Sequence, residues 1–300
     1  MIIQGILSKI ISEIILSTYP VFIKLVNISF LKKMLYRFAT IIFISLFLID
    51  TSYISKYLFH KDGLLLSFYT IIHVYFSYKG FEILKGGVAN SILFTYPLII
   101  LYYSGSKNYW IYFFILIGLL LFCLDDIQDK KMDNIYEYSK GIFYMIGSAI
   151  TEALIYFSVL KLDTKNNWNH MFISYFFGLL LLLTVYIYQK NINKEKEDKE
   201  ENNEEDNKGN KEEFQLRNLN KTKNVNLFAF FFNLLTIVIG YYLRFYSMNR
   251  IDSKLYAILT YLGIIFTYIS SYLINQEEIN MYNISGSLII IFSNLYLLYN

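Results

Sequence analysis

Apolar residues in this chain arrive in blocks of roughly twenty, the length a helix needs to cross a hydrocarbon core about 30 Å thick. A soluble domain breaks its apolar residues into short periodic faces, and these blocks are continuous. Ten are legible: about 5–26, 34–55, 63–84, 87–104 and 109–125, then 138–160, 171–189, 226–248, 254–274 and 281–299. In lipid every backbone N–H and C=O must be paired within the chain, so each block is read as a helix. The expected fold class is an all-α, multi-pass integral membrane protein with ten transmembrane helices, and its surroundings are the lipid bilayer. The first block has no small-residue cleavage site, so it is expected to remain as a span and not to be removed as a signal peptide.

Charge is unevenly placed. The net charge is +3, yet residues 194–213 hold five lysines and ten acidic residues. The remainder is strongly positive, mostly at block ends, which is ordinary for a membrane protein and gives no reason to expect nucleic acid. Two polar segments interrupt the blocks. Asp125–Glu137 is a short linker in the middle of the chain. The second, 190–224, is long, rich in Lys, Glu and Asn and nearly without apolar residues. It has too little to bury to offset its ordering entropy and is expected to be a disordered insertion. The one cysteine, Cys123, allows no intrachain disulfide and no Cys-based zinc or redox motif. No nucleophile–base constellation, Gly-rich phosphate loop or His pair is found, so no cofactor is expected.

Five blocks, a linker and five more blocks invite a search for repeats. Ile92–Ile100 reads ILFTYPLII and Ala257–Ile265 reads AILTYLGII. At an offset of 165, Thr95-Tyr96 falls on Thr260-Tyr261 and Lys79 on Arg244. Nearer the start of each half, Lys24-Leu25 matches Lys161-Leu162 at an offset of 137. The offset grows where the charged insertion sits, in the second half only. An odd number of spans per half makes equivalent helices run in opposite directions, an inverted-topology repeat common in secondary transporters. The expected division is 1–127 as the first repeat, 128–137 as linker and 138–300 as the second repeat.

This pattern resembles the drug/metabolite transporter superfamily, and within it the EamA-like ten-helix transporters. In the first half a span ends in polar residues around Lys79–Lys85. A small-residue turn follows (Gly86-Gly87-Val88-Ala89), then a span with a central proline, Pro97, and a glycine-bearing last span (Gly118). In the second half Leu262 stands where the family often has proline, Glu277 or Glu278 matches its acidic residue, and Gly286 its glycine. The first half departs from the pattern, with Ser104–Asn108 in place of that acid. The resemblance implies that spans one to four of each half surround a central cavity. It also implies that both termini lie in the cytosol, which the near-equal division of Lys and Arg between alternate loops does not decide.

Ionisable residues at bilayer depth are costly and usually face a cavity or a partner. Glu13 and Glu152 fall at roughly mid-helix in the first span of each half and are too short to snorkel. Either would bind a cationic group or carry a coupling proton. Lys79 and Arg244, equivalent in the repeat, would hold an anionic group. Lys79 and Glu82 share one helix face and are placed to pair, or to reach the water interface together. Tyr96 and Tyr261 are cavity-wall candidates under the resemblance, with packing between helices as the plainer reading. The lone His73 reads as a packed or helix-bonded histidine more readily than as a proton relay.

The expected function is therefore a secondary transporter of a small metabolite or drug-like solute, working by alternating access in the plasma membrane or an organelle membrane. With no ATP-binding domain legible, gradients or exchange would drive it. Monomer and homodimer both stay open. Two other classes compete. Asp125, Asp126, Asp129 and Asp133 have the DDxxDxxxD spacing of UbiA-type prenyltransferases, whose carboxylates hold Mg²⁺. A second Asp-rich loop is missing, and Lys130 and Lys131 interrupt the cluster. The other alternative is a non-transporting membrane scaffold whose insertion recruits a partner.

Overall fold

The computed structural model describes residues 2–299 except 27, 104, 106–108, 130–134, 163, 165 and 202–226. Every regular element among the described residues is helical. The first apolar block is two helices, α1 (Ile2–Leu16) and α2 (Tyr19–Leu25). Between them the Ser17 and Thr18 hydroxyls donate back to the Ile14 and Ile15 carbonyls, each at 2.7 Å. Pro20 opens α2, where its missing N–H costs nothing. The second block divides into α3 (Phe30–Ser45) and α4 (Thr51–Tyr57), the latter capped by the Asp50 carboxylate, which accepts from the Ser52 and Tyr53 N–H groups.

The third block is one helix, α5 (Lys61–Ile83). The fourth breaks into α6 (Gly86–Leu93) and α7 (Tyr96–Tyr103), because Pro97 has no N–H to continue the ladder from Leu93. Then come α8 (Tyr109–Asp129), α9 (Ile135–Lys161), α10 (Asn167–Glu201) and α11 (Leu227–Met248), the last with a π-helical turn at Asn233–Val238. The ninth block breaks at Tyr261 into α12 (Ser253–Thr260) and α13 (Leu262–Asn275), and the chain closes with α14 (Met281–Tyr299).

Among the described residues six helical stretches are both long and apolar enough to cross a membrane: Ile2–Leu25, Gly86–Tyr103, Ile135–Lys161, Asn167–Ile192, Leu227–Met248 and Ser253–Asn275. The other four expected spans are helical as well. α3 is 16 residues and stops at the turn before Asp50. α5 is diluted by tyrosines, serines and His73. α8 and α14 are helices of 21 and 19 residues, and the side chains of part of each lie outside the described residues. A difference concerns the charged segment. α10 continues to Glu201, into a stretch expected to be disordered, because Lys and Glu are good helix formers and extend a helix already nucleated by its apolar part. Residues 202–224 of that segment lie outside the described residues, as does the linker's 130–134.

The helices pack in defined partnerships. α5 lies along α9, and α1 along α11. α3 packs on α10, and α6 on α13. α8 and α14 pair with each other and touch the rest through α6 and α12. At one end of the bundle Lys24 pairs with Glu277 at 2.6 Å, and the other Glu277 oxygen accepts the Gly86 N–H at 2.8 Å, capping α6. At the other end the Asn166 amide donates to the Leu48 carbonyl and Asn169 Oδ1 accepts the Asp50 N–H, both at 2.9 Å. The 16 residues of α3 separate these ends, about 24 Å at 1.5 Å per residue. The surface is the reverse of a soluble protein's. Phe47, Phe59, Trp110 and Leu273 point outward, whereas Lys9, Glu13, Arg37, Glu152 and Arg244 are buried. Water would penalise both choices, and lipid favours the first.

Candidate functional site

The buried charges converge on one place. Glu152, on α9, meets the Arg244 guanidinium of α11 at 2.8 Å through Oε1. Its Oε2 lies 3.3 Å from His73 Nε2 on α5. Arg244 also reaches Glu13 of α1, at 3.9 Å. Glu13 is held more tightly by Lys9, one helical turn earlier, at 2.5 Å. Lys9 and Glu13 are fully shielded and Glu152 and Arg244 nearly so, so each opposite charge supplies what water would otherwise give. Space for Glu13 comes from Gly263 of α13, where a Cβ would stand 2.8 Å from Glu13 Oε2 and 2.6 Å from the Phe94 ring.

Tyrosines complete the coordination. The Tyr96 hydroxyl, at the start of α7, accepts from Arg244 Nη2 at 2.7 Å and lies 3.3 Å from Thr260 Oγ1 at the end of α12. The two helix breaks therefore face each other beside the guanidinium. Tyr256 accepts from Arg244 Nε at 3.3 Å and lays its ring 3.7 Å below the Lys9 ammonium. His73 Nδ1 is 3.1 Å from both the carbonyl and the hydroxyl oxygen of Ser148, so it is tied to α9 on both sides of its ring. A further cation, Arg37 of α3, lies in the same pocket, donating to the Tyr175 hydroxyl of α10.

A cavity of about 40 Å³ opens among these groups, lined in part by Glu13, Arg37, His73, Asn90 and Arg244. That admits a water or two and no organic solute. A larger void of about 520 Å³ lies on the outer flank between α8 and α14, lined by Trp110, Phe114 and Phe292. It is apolar and holds none of the charged groups.

Of the residues selected from the sequence, the structure brings Glu13, Glu152, Arg244 and Tyr96 together. It places the other three elsewhere. Lys79 and Glu82 pair at 3.6 Å, both near 30% exposed, at the end of α5, where Lys33 also reaches Glu82 at 3.0 Å. Lys79 therefore does not join Arg244, although the two occupy equivalent positions in the sequence match. Tyr261 is buried but lines a separate apolar cavity with Leu262 and Ile291. Lys9 and Tyr256 are not among the sequence-derived candidates, and Arg37 counts there only as a charge near the end of its block. The spacing of Lys9 and Glu13 was a usable signal, and so was the position of Arg37 between Met34 and Ile41 on an apolar face.

Asp125, Asp126 and Asp129 lie in the last turns of α8 and Asp133 falls outside the described residues. Among the described residues no group of three or more His, Cys, Asp or Glu is placed to hold a metal ion.

The model of the EamA-like transporter family matches residues 139–299, from the first turns of α9 to the last of α14. No curated protein matches the chain. A polar pocket enclosed by lipid-facing helices is the setting a membrane transporter needs, and the matched residues are more than half the sequence: the chain is a multi-pass integral membrane protein and belongs to the EamA-like transporter family.

Proposed function

We propose that the chain is a secondary transporter that moves a small solute by alternating access to the pocket around Arg244. The observation that carries this reading is the buried cluster itself. Five ionisable side chains from α1, α5, α9 and α11 are gathered away from lipid, and intramembrane charge of this kind marks solute and proton pathways. Membership of a transporter family agrees with it.

The moving parts are two five-helix halves, 1–127 and 138–300, joined by the linker 128–137. Exchanging the blocks of the halves in order turns the α5–α9 pairing into α11–α1, and leaves α3–α10, α8–α14 and α6–α13 each matched to itself. That is the behaviour of a pseudo-twofold axis. The ends of the bundle agree. The turn after α2 lies at the Lys24–Glu277 end, whereas the turn after α9 lies at the opposite, Leu48–Asn166 end. Equivalent first spans thus run in opposite directions, the arrangement of an inverted repeat. The breaks before Tyr96 and at Tyr261 sit at the positions that the sequence match aligns.

A 40 Å³ cavity makes this conformer closed, so binding requires the halves to rock apart. Glu13 and Glu152 then gain access to the pathway and either compete for a cationic group or take a proton. The test is uptake into proteoliposomes of the purified chain, using labelled organic anions, organic cations, amino acids and sugars. Saturable uptake of at least one class, lost in the Glu13→Ala, Glu152→Ala pair while the protein stays folded, is expected. No saturable uptake of any class by the wild type would overturn the reading.

A further inference from the structure

The charges of the pocket do not balance. Lys9 is matched by Glu13 and Arg244 by Glu152. Arg37 is left over: among the described residues no carboxylate lies within 4.0 Å of it. It is nonetheless 2% exposed and borders the central cavity. Its nitrogens donate to the Tyr175 hydroxyl, at 2.9 Å from Nη2 and 3.3 Å from Nε, and the Tyr19 hydroxyl is a further hydrogen-bond partner. The rings of Tyr19, Tyr78, Tyr175 and Tyr241 surround its carbon at 4.9–5.7 Å. Ring faces and neutral hydroxyls offset only part of the cost of burying a guanidinium, and leave its five N–H groups without an anion.

We propose that the solute is an organic anion whose carboxylate or phosphate group pairs with Arg37. This rests on the transporter reading of the same pocket. A guanidinium matches a planar carboxylate or a phosphate with two parallel hydrogen bonds, which an ammonium does not. A monoanion would cancel the surplus positive charge, whereas a cation would add to it, because both carboxylates are already engaged. Leu93, Phe81 and Phe94 on the pocket wall suit an apolar or aromatic body attached to that group. Lys79, the sequence-derived partner for an anion, stands outside the cavity. The same head-group chemistry is found on anionic lipids, so the test separates the two sources.

The experiment uses the purified full chain in detergent with phenyl phosphate and benzoate as anions, benzamide as the neutral shape and phenyltrimethylammonium as the cation. At least one anion is expected to raise the melting midpoint saturably by about 3 °C or more, with the neutral and cationic compounds inactive. Arg37→Gln should weaken that response roughly ten- to hundredfold, and Arg37→Lys should retain part of it. A response to phenyltrimethylammonium or benzamide equal to that of the anions overturns the inference without any variant. So does an undiminished anion response in a folded Arg37→Gln protein. If phosphatidylglycerol raises the midpoint through Arg37 and the soluble anions do not, the occupant is a lipid head group and the solute inference fails. Proteoliposomes loaded against labelled phenyl phosphate or phenyltrimethylammonium distinguish the two readings. Uptake of the cation alone sinks the anion inference and leaves a transporter. Failure to take up any solute class in the wider screen sinks the transporter itself.

Discussion

At the scale of single residues, the Glu152–Arg244 pair separates stability from function. Removing one partner of a buried pair leaves an uncompensated charge, which costs roughly 3–5 kcal/mol, whereas replacing both with apolar groups of similar volume is close to neutral. Glu152→Leu should therefore lower the melting temperature of the purified protein sharply. Adding Arg244→Met should recover most of the loss, and uptake into proteoliposomes should not return in the double variant. Recovery of uptake along with stability would make the pair a packing feature. His73, bonded to Ser148 and facing Glu152, shows that a histidine can satisfy its helix neighbour and border the charged site at once. Lys79 and Arg244 each sit four residues from a helix end, yet only one is buried. Their registers agree, and their partners differ: Glu82 and the Phe30 ring hold Lys79 at the rim, while Glu152 and Glu13 draw Arg244 inward.

Among elements, the α8–α14 contact depends on close approach. A Cβ on Gly118 would lie 2.9 Å from the Gly286 carbonyl and 2.8 Å from Ile290. Small residues at such a crossing let helix backbones touch, which is how helices associate where lipid removes the hydrophobic drive. Gly118→Val should cost about 1–3 kcal/mol by overpacking and lower the melting midpoint measurably. Binding at the central pocket should change little, because α8 and α14 contribute none of the charged groups. The charged continuation of α10 carries a second expectation. Deleting 202–224 should leave proteoliposome uptake within about twofold of wild type, since the described charged side chains of the pocket come from α1, α3, α5, α9 and α11. A severe loss would instead assign that segment a role in the transport cycle or in recruiting a partner.

For the whole molecule, the proposed inverted repeat predicts which side of the membrane each turn faces. With Cys123→Ser as background, single cysteines at Ser29 and Thr164 should be labelled by a membrane-impermeant maleimide from opposite sides of sealed vesicles. Labelling of both from one side would break the duplication and with it the rocking of one half against the other. Under the proposed alternating access, a closed pocket of about 40 Å³ makes the described conformer one of at least two that the cycle needs. The Lys24–Glu277–Gly86 contact fastens α2 and α6 to the segment after α13 at one end of the bundle and must loosen if that end is to open.

Much of this architecture was legible in the chain alone, for a local reason. The hydrocarbon core sets the length of a span, the backbone must satisfy itself within it, and proline breaks a helix wherever it stands, so block lengths and Pro97 carried over into helices and a break. Glu13, Glu152 and Arg244 were visible because a charge in an apolar block is costly wherever it lands. Which charges meet was decided only by tertiary packing. Nothing local says that Lys79 stops at the rim, that Tyr261 turns to an outer cavity, or that Arg37, near the start of its block, is walled in by four tyrosines. Those outcomes depend on partners on other helices, tens to hundreds of residues away, and a sequence read one segment at a time holds no record of their distances.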